Sequence, residues 1–285
     1  MDTQNLLEIF KNTKSNPSEI LEIPLSNDNI ESIGYKSFID VAQLFFYKML
    51  TPTIDTDTTT LRFKKLDTNN SFHNISADEE KYGIKSKFFE IDKTKEVSFL
   101  YYYQKALKFA DIQDKKHILN LGINKGDEFL VIKDILDSDN FFKKKFIGID
   151  YAKSAIEYAK KTLNETNIEF IHHDINKLST LNLPKSDMLI SIGTLQSSNI
   201  NFNERFMDIY QNYLTKDASI ILGFPNCRWI DGEMIYGAKA KNYPFSEMSV
   251  VLKDIHFCKK YLQKKGYRVI ITGKDYLFLT ARKIK

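Results

Sequence analysis

The chain has 285 residues, of which 42% are hydrophobic and 27% charged, with a formal net charge of +4. This composition is ordinary for a globular protein, and the charge falls well short of that of a dedicated nucleic-acid binder. Two cysteines, Cys227 and Cys258, exclude a disulfide framework, and no apolar stretch reaches the length of a membrane span. Because the N-terminus also lacks the basic start and apolar core of a signal peptide, we expect a cytoplasmic protein.

The N-terminal hundred residues give an uneven pattern. The sequence predicts a short helix over residues 4–14 and an amphipathic helix over 37–50. The threonine-rich stretch at 51–60 is predicted to be a loop, and residues 61–98 show no clear element. We therefore expect a mainly helical N-terminal extension over residues 1–100.

A regular alternation of strands and helices begins after a tyrosine-rich helix at 97–110. The predicted strands are 117–121, 145–150, 168–171, 187–191, 219–222, 267–272 and 276–281, and the predicted helices are 127–136, 152–163, 202–213 and 246–264. Such alternation implies parallel crossovers, but the last two strands lie too close together for one and must form an antiparallel hairpin. The predicted fold class is α/β, with a Rossmann-like, mostly parallel seven-stranded sheet and an antiparallel C-terminal hairpin over residues 101–285.

The first of these strands leads into a glycine loop. The apolar run over residues 117–121 ends at Gly122, and Gly126 follows four residues later, directly before a helix. A buried strand that turns through glycines into a helix is typical of nucleotide-binding loops, because glycine lets the backbone approach a ligand. Asp150 ends the next strand, where its carboxylate could accept hydrogen bonds from both hydroxyls of a ribose. It could equally well cap the helix that follows.

Polar residues also follow the third and fourth strands. Asp174 could accept a hydrogen bond from an adenine amino group beside Ile175, and His173 is a candidate general base. No further His, Cys or Glu lies at ligand spacing, so the sequence predicts no metal site. Thr194 and Gln196 could contact a substrate, although an ordinary turn between strand and helix explains them equally well.

The order of these elements and motifs resembles the class I S-adenosylmethionine-dependent methyltransferase family over residues 97–285. In that family the loop reads acidic-x-Gly-x-Gly-x-Gly, whereas here Asn120 takes the place of the acid and Asn124 that of the middle glycine. Asparagine tolerates a left-handed backbone, so the turn can form. The terminal hairpin distinguishes this family from nicotinamide-binding Rossmann domains.

The resemblance implies an enzyme that transfers a methyl group from S-adenosylmethionine, its cofactor. It also implies where the cofactor binds. The expected cofactor-binding residues are Asn120, Gly122, Asn124, Gly126, Asp150, Tyr151, Asp174, Ile175, Ser191 and Gly193.

The segment after the fifth strand, residues 223–243, is too long and too mixed in composition for a simple connector. We expect it to recognise the substrate. Arg228 could hold an acidic group through a bidentate contact, or form a salt bridge with Asp231 or Glu233. The expected substrate-binding residues are Thr194, Gln196, Asn226, Arg228 and Tyr236.

Together these features predict methyl transfer to the oxygen or nitrogen of a small, anionic or sugar-like acceptor. The recognition segment faintly resembles those of bacterial surface-glycan-modifying methyltransferases. If the acceptor is a hydroxyl, His173 or His256 is the candidate base. Two alternatives stay open: an RNA methyltransferase whose lysine-rich surface binds phosphates, and an inactive methyltransferase-like partner protein, suggested by the two asparagines of the loop. We expect no membrane partner.

Overall fold

The computed structural model describes residues 3–67, 79–197, 199–230, 233–236 and 249–284. The chain divides into two compact units, one within residues 1–76 and 227–236 and the other within 77–226 and 237–285. None of the helices in this described part has both the length and the apolar character needed to cross a bilayer.

The first unit begins with three helices and three strands. In chain order they are α1 (Thr3–Asn12), β1 (Ile20–Ser26), α2 (Asn27–Ile33), α3 (Tyr35–Leu44), β2 (Tyr47–Ile54) and β3 (Thr58–Lys65). The strands form an antiparallel sheet in the order β1-β3-β2. Phe10, Phe38, Tyr47 and Phe63 are at most 2% exposed and form the centre of its core.

The N-terminal region differs from its prediction in two respects. Helix α1 confirms the predicted helix at 4–14, but the helix predicted over 37–50 ends at Leu44. Phe46 adopts a left-handed φ of 61°, which ends the helix, and strand β2 follows at once. The threonines at 51–60, predicted to be a loop, lie mostly in β2 and β3, since β-branched residues favour strands. The region therefore contains an antiparallel sheet as well as the expected helices.

The second unit contains the alternating elements. They are α4 (Lys87–Glu90), α5 (Val97–Phe109), β4 (His117–Leu121), α6 (Asp127–Ile135), α7 (Ser138–Phe142), β5 (Lys145–Asp150), α8 (Lys153–Thr162), β6 (Ile168–His172), β7 (Ser186–Ile192), α9 (Phe202–Asn212) and β8 (Leu214–Pro225). A short hairpin, β9 (Cys227–Ile230) and β10 (Glu233–Tyr236), groups with the first unit. Then come α10 (Ser249–Lys264), β11 (Tyr267–Gly273) and β12 (Tyr276–Lys283).

Seven strands form one sheet in the order β11-β12-β8-β7-β4-β5-β6. Strands β4 to β8 pair in parallel, and β12 runs antiparallel to both β8 and β11. This confirms the predicted Rossmann-like sheet with its antiparallel C-terminal hairpin. The chain passes outward from β4 through β5 to β6 and then returns to β7 on the other side of β4. In open α/β sheets, ligands bind at the carboxyl ends of the strands beside such a reversal.

The central strands are apolar because helices cover both faces of the sheet. Leu119 and Leu121 of β4, Leu189 of β7 and Ile220 of β8 are at most 1% exposed. This packing fixes the strand ends, and with them the loops that carry the candidate site.

Candidate cofactor site

The loop after β4 allows a ligand to approach closely. Gly122 and Gly126 have positive φ angles of 81° and 96°, a region that most side chains avoid. A Cβ atom on Gly122 would lie 1.8 Å from Oγ1 of Thr194, so only glycine fits there. The backbone N–H groups of Gly122 and Ile123 both donate to the carbonyl of Ile149, which holds the loop against β5.

Asp150 ends β5 and is 8% exposed. Its Oδ1 accepts from the backbone N–H of Ala152 at 2.9 Å, and its Oδ2 accepts from that of Asn124 at 2.8 Å. Burial raises the pKa of this carboxyl, while the two hydrogen bonds lower it. Each oxygen has a second lone pair, so the carboxylate can still accept from ribose hydroxyls. Both hypotheses for Asp150, ribose binding and capping, are compatible with this geometry.

Residues 79–96, which we call the pre-helix segment, lie beside the loop. Asn124, at a left-handed φ of 47°, donates through Nδ2 to the carbonyl of Tyr82 at 2.8 Å. Lys125 donates to two further carbonyls of the segment at 3.1 and 3.0 Å. Burial and the charge of Asp150 raise the pKa of the Tyr82 phenol. No element was predicted for this segment from the sequence.

Asn120, in β4, is completely buried. Neither its Oδ1 nor its Nδ2 has a hydrogen-bond partner within the described ranges of the chain. An unpaired buried polar group costs about 1–3 kcal/mol, and native interiors rarely leave one. An unsatisfied amide at this strand position fits a group that binds the methionine end of S-adenosylmethionine.

Glu128, in the first turn of α6, is a residue that sequence reasoning missed. It is 9% exposed, and the hydroxyl of Tyr103 donates to its backbone carbonyl at 3.3 Å. Burial raises the pKa of its carboxyl to about 8; the charge of Lys93 opposes this shift, and those of Asp127 and Asp150 add to it. An acid at the start of a helix is common because it complements the helix dipole, so the sequence alone gave no sign of this burial.

Lys93 is a second residue that the sequence did not single out. Its Nζ lies over the rings of Phe88 and Tyr276, 5.5 and 5.0 Å from their centroids. A Cβ atom on Gly193, after β7, would lie 2.8 Å from the hydroxyl of Tyr276. Lys93 thus lies near the end of β7, while Glu128 follows the loop after β4. The two residues flank the point where the strand order reverses.

The other predicted cofactor-binding residues follow β5, β6 and β7. Tyr151 is 47% exposed, and Ile175 is buried. Asp174 accepts through Oδ1 from a backbone N–H two residues further on, at 2.9 Å. Ser191 is buried and donates to the carbonyl of Leu121 at 3.0 Å, which links β7 to β4. The sheet gathers these residues at its carboxyl edge, and their roles in binding stay predictions.

Two predicted substrate-binding side chains have unpaired oxygens. Oε1 of Gln196 and Oδ1 of Asn226 are buried, and no partner for either is present in the part of the chain that the structure describes. Asn226 donates through Nδ2 to the carbonyl of Lys274 at 3.3 Å, which fixes the orientation of its amide. Because β7 and β8 are parallel neighbours, both oxygens follow adjacent strand ends, as does Thr194.

Arg228 and Tyr236 belong to β9 and β10, but their side chains lie outside the described residues. Residues 231–232 and 237–248 of the recognition segment also lie outside them. The substrate contacts expected of this segment stay predictions.

The structure does not bring the two candidate catalytic histidines together. Nε2 of His173 lies 2.9 Å from the carbonyl of Lys177 and 3.0 Å from Oγ1 of Thr180. His256 is exposed on the outer side of α10, away from the buried face that carries Ile255. Both assignments stay predictions. Among the residues described, no three His, Cys, Asp or Glu side chains are grouped to hold a metal.

The fold and the loop define a class I S-adenosylmethionine-dependent methyltransferase. A sequence profile described as a methyltransferase domain matches residues 112–273, more than half of the chain. The chain therefore belongs to this methyltransferase-domain family, is an enzyme, and uses S-adenosylmethionine as its cofactor.

Solved structures with a similar fold are distant in sequence. A SAM-dependent methyltransferase from Aquifex aeolicus is 18% identical over 73% of this chain and 100% of its own, with a TM-score of 0.46. The plantazolicin methyltransferase BpumL, in complex with a pentazolic desmethylPZN analog and SAH, is 13% identical over 73% and 95%, with a TM-score of 0.49. Precorrin-6y C5,15-methyltransferase from Geobacter metallireducens is 13% identical over 65% and 88%, with a TM-score of 0.44. No curated protein matches the sequence.

Proposed function

We propose that this methyltransferase modifies an oxygen or nitrogen of a small, sugar-like acceptor that carries several hydroxyl or amino groups. The observation that carries the proposal is a pair of buried carbonyl oxygens, Oε1 of Gln196 and Oδ1 of Asn226, that have no partner among the residues the structure describes. Both are acceptors only, so a ligand that satisfies them must supply O–H or N–H groups. The sequence further assigns an acidic group of the acceptor to Arg228.

An acceptor without such donors would leave both oxygens buried and unpaired, at a cost of about 1–3 kcal/mol each. A polyhydroxylated or amino-bearing molecule satisfies them and gains two directed contacts. Because the oxygens follow neighbouring strands, β7 and β8, they can bind two groups of one molecule and so orient it.

The chain's own residues contribute mainly positioning. When bound, S-adenosylmethionine supplies the electrophilic methyl group. Asn120, Asp150 and the loop glycines would hold it, since the amide is unsatisfied, the carboxylate can accept further bonds, and the glycines leave room. Gln196 and Asn226 would fix the acceptor. Correct orientation alone can lower a reaction barrier by roughly 7–11 kcal/mol, so no protein nucleophile is required.

The proposal is tested by transfer of labelled methyl groups from S-adenosylmethionine to a panel of acceptors. The panel pairs amino sugars and uronic acids with their deoxy and neutral counterparts, and includes transfer RNA. We expect transfer to members of the sugar panel, with the anionic ones preferred and that preference lost in Arg228→Gln. Transfer to RNA alone, abolished by moderate salt, would instead support the RNA alternative.

Two near-isosteric variants test the carbonyl oxygens directly. Gln196→Met and Asn226→Leu should each raise the KM for the acceptor about 10-fold or more, because each removes one hydrogen-bond acceptor. The affinity for S-adenosylhomocysteine should not change. Gln211→Met, on the exposed side of α9, is the matched control and should leave both constants unchanged. Unchanged KM values in both test variants would rule out this role.

A further inference from the structure

We propose that Glu128 and Lys93 hold the two charges of the cofactor's methionine end, Glu128 the ammonium and Lys93 the carboxylate. The inference rests on the cofactor assignment and is independent of the acceptor. It assigns these two charges to residues outside the glycine loop.

The ligand's chemistry requires such a pair. The methionine end is a zwitterion, with one ammonium and one carboxylate on the same carbon atom. Asn120 offers only a neutral amide, and hydrogen bonds in which one partner is ionised are roughly twice as strong as neutral ones. Glu128 and Lys93 can supply opposite charges near the same strand ends, where the charge of Lys93 lowers the pKa of Glu128.

Glu128 is placed for the ammonium. It lies two residues after Gly126, in the first turn of the helix that the loop opens, and is 9% exposed. The bond from Tyr103 to its backbone carbonyl fixes this turn. A second, independent observation points to a ligand here: the completely buried amide of Asn120, at the end of β4 before the loop, has no partner in the described ranges.

Lys93 is placed for the carboxylate. Its Nζ lies 5.5 and 5.0 Å from the ring centroids of Phe88 and Tyr276, and these cation–π contacts position the ammonium. Its charge acts on Glu96 as well as on Glu128. We assign the ligand's carboxylate to this ammonium because Lys93 lies near the end of β7, beside the reversal of strand order.

The two charges can be tested separately by calorimetry on the full chain with three ligands. S-adenosylhomocysteine carries both charges, its decarboxylated form S-adenosyl-3-thiopropylamine only the ammonium, and methylthioadenosine neither. Glu128→Gln should weaken the first two about 10- to 100-fold and leave methylthioadenosine unchanged. Lys93→Met should weaken only S-adenosylhomocysteine, by about 10-fold.

Matched controls come from neighbouring residues. Asp134→Asn removes an exposed carboxylate from the same helix. Lys95→Met removes a lysine from the same segment, one that is 83% exposed and pairs with Asp92 at 3.6 Å. Neither control should discriminate among the three ligands. Binding of methylthioadenosine also shows that each variant is folded.

Proton release gives an independent readout. Four groups act on Glu128: Lys93 attracts its carboxylate, Asp127 and Asp150 repel it, and the Tyr103 hydroxyl lies nearby. With its pKa at about 8, the carboxyl is mostly protonated at pH 7 and must ionise to bind an ammonium. In buffers of different ionisation enthalpy, the wild type should therefore release close to one proton more than Glu128→Gln on binding S-adenosylhomocysteine.

Three results would overturn the proposal. Glu128→Gln could bind S-adenosylhomocysteine as tightly as the wild type, or lose all three ligands equally, as a purely structural residue would. Glu128→Gln could also weaken the binding of S-adenosylhomocysteine but not that of the decarboxylated ligand, which would show that Glu128 faces the carboxylate. If the wild type binds none of the three, the cofactor assignment fails as well, and the wild-type titration alone reveals this.

Discussion

The two sides of the cofactor loop are built differently. On the ribose side, both oxygens of Asp150 accept backbone hydrogen bonds, from Asn124 and Ala152. On the methionine side, the amide of Asn120 is unpaired within the described chain, and burial raises the pKa of Glu128 to about 8. The ribose side is thus satisfied by the protein itself, whereas the methionine side holds polar groups whose burial is costly until a ligand satisfies them.

This difference has a thermodynamic consequence. Where the protein already pairs a polar group, removing that group weakens both folding and ligand binding. Where the group is unpaired, removing it stabilises the free protein and weakens only binding, because the ligand alone supplied its partner. Variants on the two sides should therefore change stability in opposite directions and affinity in the same direction.

The largest expected effect is that of Asp150→Ala. It removes the proposed ribose contact and leaves the N–H groups of Asn124 and Ala152 without their acceptor. We expect calorimetry to show an affinity for S-adenosylhomocysteine lower by about 100-fold or more, and denaturant unfolding to show a loss of about 1–3 kcal/mol. Asp137→Ala, which removes the N-cap of α7, should lower stability without changing affinity. An Asp150→Ala variant that binds like the wild type would exclude the ribose assignment.

Glu128→Gln should change how stability depends on pH. The pKa of Glu128 is about 8 in the folded protein and near 4.5 in the unfolded chain, so the folded state binds more protons between these values. Stability then falls as pH rises through this window, and the glutamine variant removes that fall. Wild type and variant should be similar at pH 5, while at pH 8.5 the variant should be more stable by about 4 kcal/mol. Parallel curves for the two proteins would contradict the raised pKa, and Glu157→Gln, on the exposed face of α8, is the control.

Asn120→Leu tests the sign of the effect on the methionine side. Replacing an unpaired buried amide with an apolar group of similar shape should raise the free energy of unfolding by about 1 kcal/mol. The affinity for S-adenosylhomocysteine should nevertheless fall about 10-fold, as the ligand loses a polar contact. Asn167→Leu is the informative comparison, since that amide donates to the carbonyls of Phe141 and Lys144 and its loss should destabilise. Destabilisation by Asn120→Leu would show that the amide is paired in solution.

The sheet was predictable because its signals are local. Apolar runs mark β4, β5, β7 and β8, and the two residues between β11 and β12 permit only a hairpin. The N-terminal sheet was missed for a local reason as well. Phe46, two residues after the end of α3, adopts a left-handed φ, and the sequence does not indicate this because few such residues adopt positive φ.

The site was predictable only in part. The loop residues such as Gly122, and Asp150 at the end of β5, are recognisable by their spacing along the chain. Lys93 and Glu128 are not, since one lies in a polar stretch and the other resembles an ordinary first-turn acid. The two residues lie 35 positions apart in the sequence and are related only through tertiary packing. The burial of Glu128 and the rings around Lys93 reveal this.

Asn124→Gly has the smallest expected effect and returns the loop to the family pattern. Glycine relieves the left-handed φ of 47° but loses the donor to the carbonyl of Tyr82, so the two contributions to stability nearly cancel, to within about 1 kcal/mol. Losing the donor loosens the pre-helix segment beside Asp150, and stopped-flow measurement should show S-adenosylhomocysteine dissociating about 3-fold faster. Asn124→Asp keeps the tolerance for positive φ but cannot donate, so S-adenosylhomocysteine should also dissociate faster from this variant. Slower dissociation from the glycine variant alone would mean that Asn124 is simply a strained replacement for glycine, and that the contact with Tyr82 plays no part in holding the cofactor.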